Sequence, residues 1–307
     1  MTDTDSISET PEPRSSKPWR TPFIVLLASM LVFVGAGVVA TRTAVVPDQV
    51  KARFGHHEDR SDAVESPDED EYGSDDEEAG YEDEAVDEGA APLAMFPVKG
   101  DRLVTTNADP DLARRAKVIW SRFTGLIPAE RRKMVSGFEL QSRDFDGAYV
   151  RISDSDSTKW ILGVQDASDD LDYMLVHEFG HLLTLNAGQI QMNASARTCT
   201  TYMFDAEGCA RPDSIAARFL ARFWSTEMRR DAEKGRGEEL ADRHRGSFVT
   251  EYAATDPAED LAETFATFVF TARPKTHRVA DAKVNFFWSI PELVQLRTQI
   301  LAGASRR

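Results

Sequence analysis

The sequence has fewer basic than acidic residues: 36 lysines and arginines oppose 52 aspartates and glutamates, which gives a net charge of −16. This imbalance is confined to one segment, because residues 58–88 contain 17 acidic residues and a single arginine. The remaining 35 acidic and 35 basic residues cancel. The rest of the chain therefore lacks the basic excess that attracts nucleic-acid phosphates, and we expect no nucleic-acid partner.

One long segment is both strongly apolar and free of charged residues. Pro22–Ala40 is uncharged, and from Phe23 it runs for 18 residues, about the lower limit for a helix that crosses a bilayer. An uncleaved transmembrane anchor over residues 22–41, with a disordered cytoplasmic tail at 1–21, is our preferred interpretation. A cleaved signal over residues 1–40 is the alternative, although such signals have a shorter apolar core of roughly 7–15 residues. Both interpretations place the remainder outside the cytoplasm, either on a single-pass membrane protein or in a secreted one.

Cysteine is scarce, since the chain contains only Cys199 and Cys209. Their thiols could bind a metal in principle. In an exported domain, however, two cysteines ten residues apart more naturally form one disulfide. We therefore predict a disulfide that closes the loop CTTYMFDAEGC, with two free thiols as the alternative.

The acidic run of residues 58–88 has too few apolar side chains to fold, and its like charges repel one another. We predict that it belongs to a disordered stalk at residues 42–95, followed by a globular domain at residues 96–307. Strand composition marks three segments of this domain, SGFELQSR, GAYVRIS and KWILGVQ. Helical spacing marks five others, namely DPDLARRAKVIWSRFTG, ASDDLDYMLVHEFGHLLTLNAG, PDSIAARFLARFWSTEMRRDAEKG, DPAEDLAETFATFVFTA and a closing helix after Pro291. Most helices follow the strands, which predicts an α+β fold.

Histidine is also scarce, with six in the chain, yet two lie four residues apart in HEFGH at residues 177–181. Residues at this spacing share one face of a helix, so His177 and His181 can bind one zinc ion through their imidazole nitrogens. Glu178 lies about 100° further round the helix, where it can hold a water more easily than it can bind the metal. Zinc acidifies such a water, and the neighbouring carboxylate can take its proton. Two solvated surface histidines are the alternative, because this short motif also arises by chance.

A catalytic zinc normally has three protein ligands. The segment YAATDPAEDLAE, residues 252–263, offers Glu259 and Glu263 one turn apart on a helix that Asp256 can cap and Pro257 can open. One carboxylate can bind the metal while the other hydrogen-bonds to a ligating histidine. Asp256 and Glu259 also fit a capping box that needs no metal, so spacing alone leaves the third ligand open.

HEFGH followed by this second segment resembles the zincin metallopeptidases of the gluzincin type. It is most similar to the catalytic domain of anthrax lethal factor and to the Pro-Pro endopeptidases, and it resembles zinc-binding peptidases predicted on bacterial surfaces. The resemblance implies three zinc ligands, His177, His181 and Glu259. It also implies that Glu178 is the general base, that Tyr252 polarises the substrate carbonyl and that Glu263 supports the site. The cysteine-bearing insertion and the membrane segment depart from the pattern and leave the substrate class open.

Together these features predict a membrane-anchored zinc metallopeptidase with a zincin-like catalytic domain, Zn²⁺ as its cofactor and a peptide or protein as its substrate. We further expect KWILGVQ to be an edge strand that pairs with an extended peptide; alternatively, its apolar side chains only line the core. A non-catalytic, metal-containing surface protein that binds peptides or cell-wall components is the competing interpretation. A structural tether, in which the acidic stalk is the active part, is a further one.

Overall fold

The computed structural model describes residues 91–145, 147–166 and 170–306 of the chain. The predicted tail and membrane anchor lie outside the described residues, as does the predicted stalk up to residue 90. Within the described ranges, no helix is long and apolar enough to cross a membrane. The first strand begins at Ala94, two residues before the predicted start of the domain.

A five-stranded sheet contains the three predicted strands. Its members are β1 (Ala94–Lys99), β2 (Arg102–Leu103), β3 (Val135–Gln141), β4 (Ala148–Ser153) and β5 (Asp156–Gln165). The strand order is β2–β1–β3–β5–β4. The sheet is mixed, because β3 and β5 are parallel while the other neighbouring strands are antiparallel.

The prediction that KWILGVQ forms a sheet edge is wrong. This segment is the main part of β5, which pairs with β3 on one side and with β4 on the other. A strand between two partners has its backbone donors and acceptors already paired, so it cannot accept a substrate strand. Trp160, Leu162 and Val164 are buried in the hydrophobic core, as the alternative interpretation expected.

Eight α-helices lie in the described residues. They are α1 (Pro110–Leu126), α2 (Leu171–Leu185), α3 (Ile215–Phe223), α4 (Thr226–Ala232), α5 (Gly237–Arg243), α6 (Pro257–Phe270), α7 (Val279–Trp288) and α8 (Pro291–Ala304). Two of them start as the sequence predicts, with an aspartate cap followed by proline. The Asp109 carboxylate accepts from the backbone N–H of Leu112 at 3.0 Å, and the Asp256 carboxylate accepts from that of Ala258 at 2.6 Å. The predicted α+β class is confirmed.

The segment predicted as one helix over residues 212–235 is instead two helices, α3 and α4. They are separated at Trp224, whose backbone is extended, with φ −116° and ψ 109°. Ser225 then caps α4, because its hydroxyl accepts from the N–H of Met228 at 3.1 Å. The Trp224 indole is buried and donates to the Asp260 carboxylate at 2.7 Å. This long-range bond favours the extended backbone over a continuous helix.

The cysteine-bearing segment, predicted as a loop, contains a small second sheet. Its three short strands are β6 (Ile190–Gln191), β7 (Met203–Phe204) and β8 (Gly208–Ala210), in the order β6–β8–β7. Cys209 lies in β8 and forms a disulfide with Cys199, which confirms the predicted pairing. The disulfide therefore attaches the loop before β7 to the middle strand of this sheet.

The two helices that carry the sequence motifs, α2 and α6, cross at very short distance. A Cβ atom built on Gly180 of α2 would lie 2.9 Å from the Cα of Ala262 on α6. Only glycine lets the two backbones approach so closely, because any side chain would displace one helix. The crossing is buried on both helices, so the HEFGH segment lies in the interior of the domain.

We expect Gly180→Ala to destabilise the protein. The steric cost of the added methyl group, about 1–3 kcal/mol, outweighs the gain in helix propensity of up to about 1 kcal/mol. The matched control is Gly125→Ala on α1, where an added Cβ meets nothing within 4 Å. This control should stabilise the protein by about 0.5–1 kcal/mol. Urea unfolding of both variants tests the crossing, and equal effects of the two substitutions would contradict it.

Candidate metal centre

Three potential ligand side chains converge at the crossing of α2 and α6. The Nε2 atoms of His177 and His181 lie 3.2 Å apart. The Glu259 carboxylate approaches both, with Oε2 at 3.1 Å from Nε2 of His177 and Oε1 at 3.5 Å from Nε2 of His181. Each residue offers one ligand atom, and the three atoms all lie within 4.8 Å of one another. Helical spacing brings the histidines together, and the helix crossing adds the carboxylate.

The chemistry of this group suits a bound cation. Both histidines are buried, with 7% of their surface exposed, and Oε2 of Glu259 is a buried oxygen without a hydrogen-bond partner among the described residues. Its 3.1 Å contact with His177 has the distance of an ion pair but not the alignment of a hydrogen bond. Buried acceptor atoms that face one another are costly unless a proton or a metal lies between them. Two imidazoles and one carboxylate form a donor set that zinc commonly takes.

Glu263 has a different position from Glu259. Its Oε1 lies 2.8 Å from Nδ1 of His177, on the side of the ring away from Glu259. Its other oxygen accepts from the hydroxyl groups of Tyr173, at 3.2 Å, and Thr250, at 2.8 Å. Burial raises the pKa of Glu263, but the hydrogen bond to His177, the charge of that ring and the hydroxyl donors of Thr250 and Tyr173 together outweigh burial, and the net pKa is lowered. Glu263 therefore orients the His177 ring, whereas Glu259 faces both Nε2 atoms.

Glu178 is buried directly beside the two histidines in sequence and space. Only 4% of its surface is exposed. Burial raises the pKa of its carboxyl group, while the nearby His177 and His181 lower it and the carboxylates of Glu259 and Glu263 raise it further. The net pKa is raised, which makes this carboxylate a stronger base than an exposed glutamate.

Tyr252 lies in a short 3₁₀ turn, Tyr252–Ala254, just before α6. Its ring centre is 6.1 Å from that of His177, and 54% of its surface is exposed. Partial burial raises the pKa of its hydroxyl group, and the nearby carboxylates of Glu259 and Glu178 raise it further. The hydroxyl therefore stays protonated over the physiological range and is available as a hydrogen-bond donor at the edge of the site.

Some residues of the site were not predicted from the sequence. Tyr173 shares the helical face of His177, since 173, 177 and 181 are spaced by four, and that spacing could have identified it. Thr250 and Glu207 come from loop segments and carry no local signal. Burial raises the pKa of Glu207, and a backbone hydrogen bond and the charge of His181 oppose this shift.

The six predicted site residues lie close together in the fold. They are His177, Glu178, His181, Tyr252, Glu259 and Glu263. The disulfide of Cys199 and Cys209 is separate from them and belongs to the small sheet. No protein-family model, curated protein or solved structure matches this chain. Its function must therefore be inferred from the arrangement of its own residues.

The metal-free site should show a distinct pH dependence through His177. Burial lowers its pKa, but the contact with the Glu259 carboxylate, the hydrogen bond to Glu263 and the charge of Glu178 together outweigh this, and its pKa is raised to about 10. A raised histidine pKa adds stability that is complete below pH 6.5 and is lost as the pH rises to about 10.

We therefore expect the difference in unfolding free energy between the wild type and His177→Ala, both stripped of metal, to shrink as the pH rises across this interval. Urea unfolding in the presence of a chelator measures this difference. A difference that stays constant or grows with pH would contradict the assignment of the proton to His177.

Proposed function

We propose that this domain is a zinc-dependent peptidase with a zincin-like fold. The main support for this proposal is that the side chains of His177, His181 and Glu259 converge. In addition, one buried oxygen of Glu259 lacks a hydrogen-bond partner among the described residues. Two imidazoles from one helix and a carboxylate from a second leave room in a tetrahedral set for a water or a substrate. The buried Glu178 next to this group supports hydrolysis as the reaction, because simple metal storage needs no adjacent base.

The roles of the side chains follow from their positions. Zinc, when bound, supplies Lewis acidity that acidifies water and polarises a carbonyl group. Glu178 accepts a proton from the attacking water on its carboxylate and then passes that proton to the departing amine. The half-exposed Tyr252 hydroxyl donates a hydrogen bond to the oxygen of the substrate carbonyl as negative charge develops there. Glu263 accepts from Nδ1–H of His177, which keeps Nε2 of that ring unprotonated for the metal.

The cellular location is part of the proposal. The disulfide between Cys199 and Cys209 supports a domain outside the cytoplasm, where thiols become oxidised. The uncharged segment at residues 22–41 would then hold the domain on the membrane as a single-pass anchor. A peptide or protein in the extracytoplasmic space is the substrate that this arrangement favours.

The two carboxylates of α6 should differ in their effect on zinc affinity. Glu259→Gln removes a direct ligand, so we expect it to weaken zinc binding more than Glu263→Gln does. Loss of a residue that only orients a ligand typically costs about 10–100-fold in metal affinity, and Glu263→Gln should fall within that range. Both variants remove one negative charge, so each controls for the other. Competition with a chelator measures the affinities, and a larger loss for Glu263→Gln would contradict the assignment.

The assignment of the base predicts that hydrolysis and zinc binding can be separated. Glu178→Gln should retain zinc but lose about 10²–10⁴-fold in the rate of peptide hydrolysis, because the proton acceptor is removed. His177→Ala should lose both zinc and activity. Assays with a peptide library, together with zinc analysis of the same samples, test this expectation. Wild-type protein that binds zinc yet cleaves no peptide would instead favour a non-catalytic binding protein.

A further inference from the structure

A second charged group is buried next to Glu259 in the sequence of α6. Lys283 of α7 and Asp260 of α6 are both fully buried, and Nζ lies 2.6 Å from Oδ2. This contact is an ion pair rather than a well-aligned hydrogen bond. The Asp260 carboxylate also accepts from the Trp224 indole at 2.7 Å and from the Thr264 hydroxyl at 3.1 Å. The Lys283 ammonium lies 3.9 Å from the ring centre of Phe248.

The ion pair is connected to the metal centre through the backbone on two sides. Asp260 directly follows Glu259, so the two carboxylates lie about 100° apart on α6 and fix its rotation between them. Phe248, on the other side of the ammonium group, precedes Thr250 and Tyr252 by two and four residues. The pair therefore joins the helix that carries the third ligand to the segment that carries Tyr252.

The energetic cost of burying Lys283 and Asp260 favours a role for this ion pair beyond stabilising the fold. Moving a lysine and an aspartate out of water is expensive, and apolar residues of similar size often give an equally stable or more stable core. A purely apolar contact would let α6 rotate or slide by small amounts at little cost, because such contacts are not directional. Metal ligands tolerate errors of only about 0.5 Å before binding weakens. The Asp260 carboxylate, one residue from Glu259, is held by the ion pair with Lys283 and by the directional hydrogen bond from Trp224, which together remove that freedom.

We propose that Lys283 is a positioning residue for the metal centre. Through Asp260 it holds α6 in the rotation that directs Glu259 toward His177 and His181, and through Phe248 it keeps the Tyr252 segment against the same helix. The inference rests on the proposed zinc site and adds a residue that has no contact with a ligand atom. Lys283 acts through Asp260 and Phe248 and takes no part in the chemistry.

The test uses the double variant Asp260→Asn/Lys283→Met in the full chain, which removes both charges and leaves no unpaired charge in the core. Zinc affinity is measured by chelator competition, and the absorption spectrum of the cobalt-substituted protein reports the ligand geometry. We expect a loss of about tenfold in zinc affinity and a shifted cobalt spectrum, while the thermal midpoint stays near that of the wild type. Zinc affinity within about twofold of the wild type, with an unchanged cobalt spectrum, would overturn the proposal.

The control is Asp101→Asn/Arg132→Met, which removes a distant ion pair whose arginine is buried and whose aspartate is exposed. Nε of Arg132 donates to Asp101 at 2.7 Å, between the β1–β2 turn and the residues before β3. This control should keep zinc affinity within about twofold of the wild type. An equal loss in the control would show that removal of an ion pair distant from the site has the same effect, and it would overturn the positioning role.

Two further outcomes are decisive. If the double variant does not fold, Trp224→Phe takes its place, since it removes one hydrogen bond to Asp260 and keeps an aromatic ring. A reproducible loss of zinc affinity in this variant supports the proposal, and an unchanged affinity contradicts it. If the wild type binds no zinc, the proposed function and this inference both fail. If the wild type binds zinc and the variants bind it equally well, only the positioning role of Lys283 fails.

Discussion

The close crossing of α2 and α6 is the constraint on which the candidate site depends. Gly180 lets the backbones come together at Ala262, and the Glu259 carboxylate of α6 lies 3.1 Å from the His177 imidazole of α2. The hydrogen bond from His177 to Glu263 then fixes one ring at the crossing. Both helices are largely buried, so the core that stabilises the domain also holds the two histidines in place. Stability and site geometry are therefore set by the same contact.

Electrostatics explains why this crossing is suited to a cation. Three carboxylates, from Glu178, Glu259 and Glu263, lie around two histidines in a largely buried region. Uncompensated negative charge in such surroundings is costly, and a divalent cation bound to His177 and Glu259 would neutralise most of it. Without a metal, these carboxylates raise the pKa of His177 to about 10, and the proton that His177 then holds provides part of the same compensation. A metal ion and a proton would thus compete for Nε2 of His177.

Local features of the site could be predicted from the sequence, because they depend on residues within one or two helical turns. The caps of α1 and α6, the shared face of the two histidines and the disulfide are of this kind. The choice between Glu259 and Glu263 could not be predicted, since both lie on one face and only the packing against α2 separates them. Long-range packing also explains why β5 was wrongly predicted as an edge strand and why the break between α3 and α4 at Trp224 was not predicted. An apolar strand does not encode which strands flank it, and the indole bonds to a residue 36 positions away.

The most direct test of the central claim is zinc-edge X-ray absorption on the purified full chain, combined with measurement of zinc per protein molecule. We predict one zinc per chain, with a first shell of nitrogen and oxygen that includes two imidazoles at about 2.0–2.1 Å. Substitution of His181 should remove one imidazole from this shell. A chain that retains no zinc, or a zinc shell without imidazole scattering, would contradict the joint ligation by His177, His181 and Glu259.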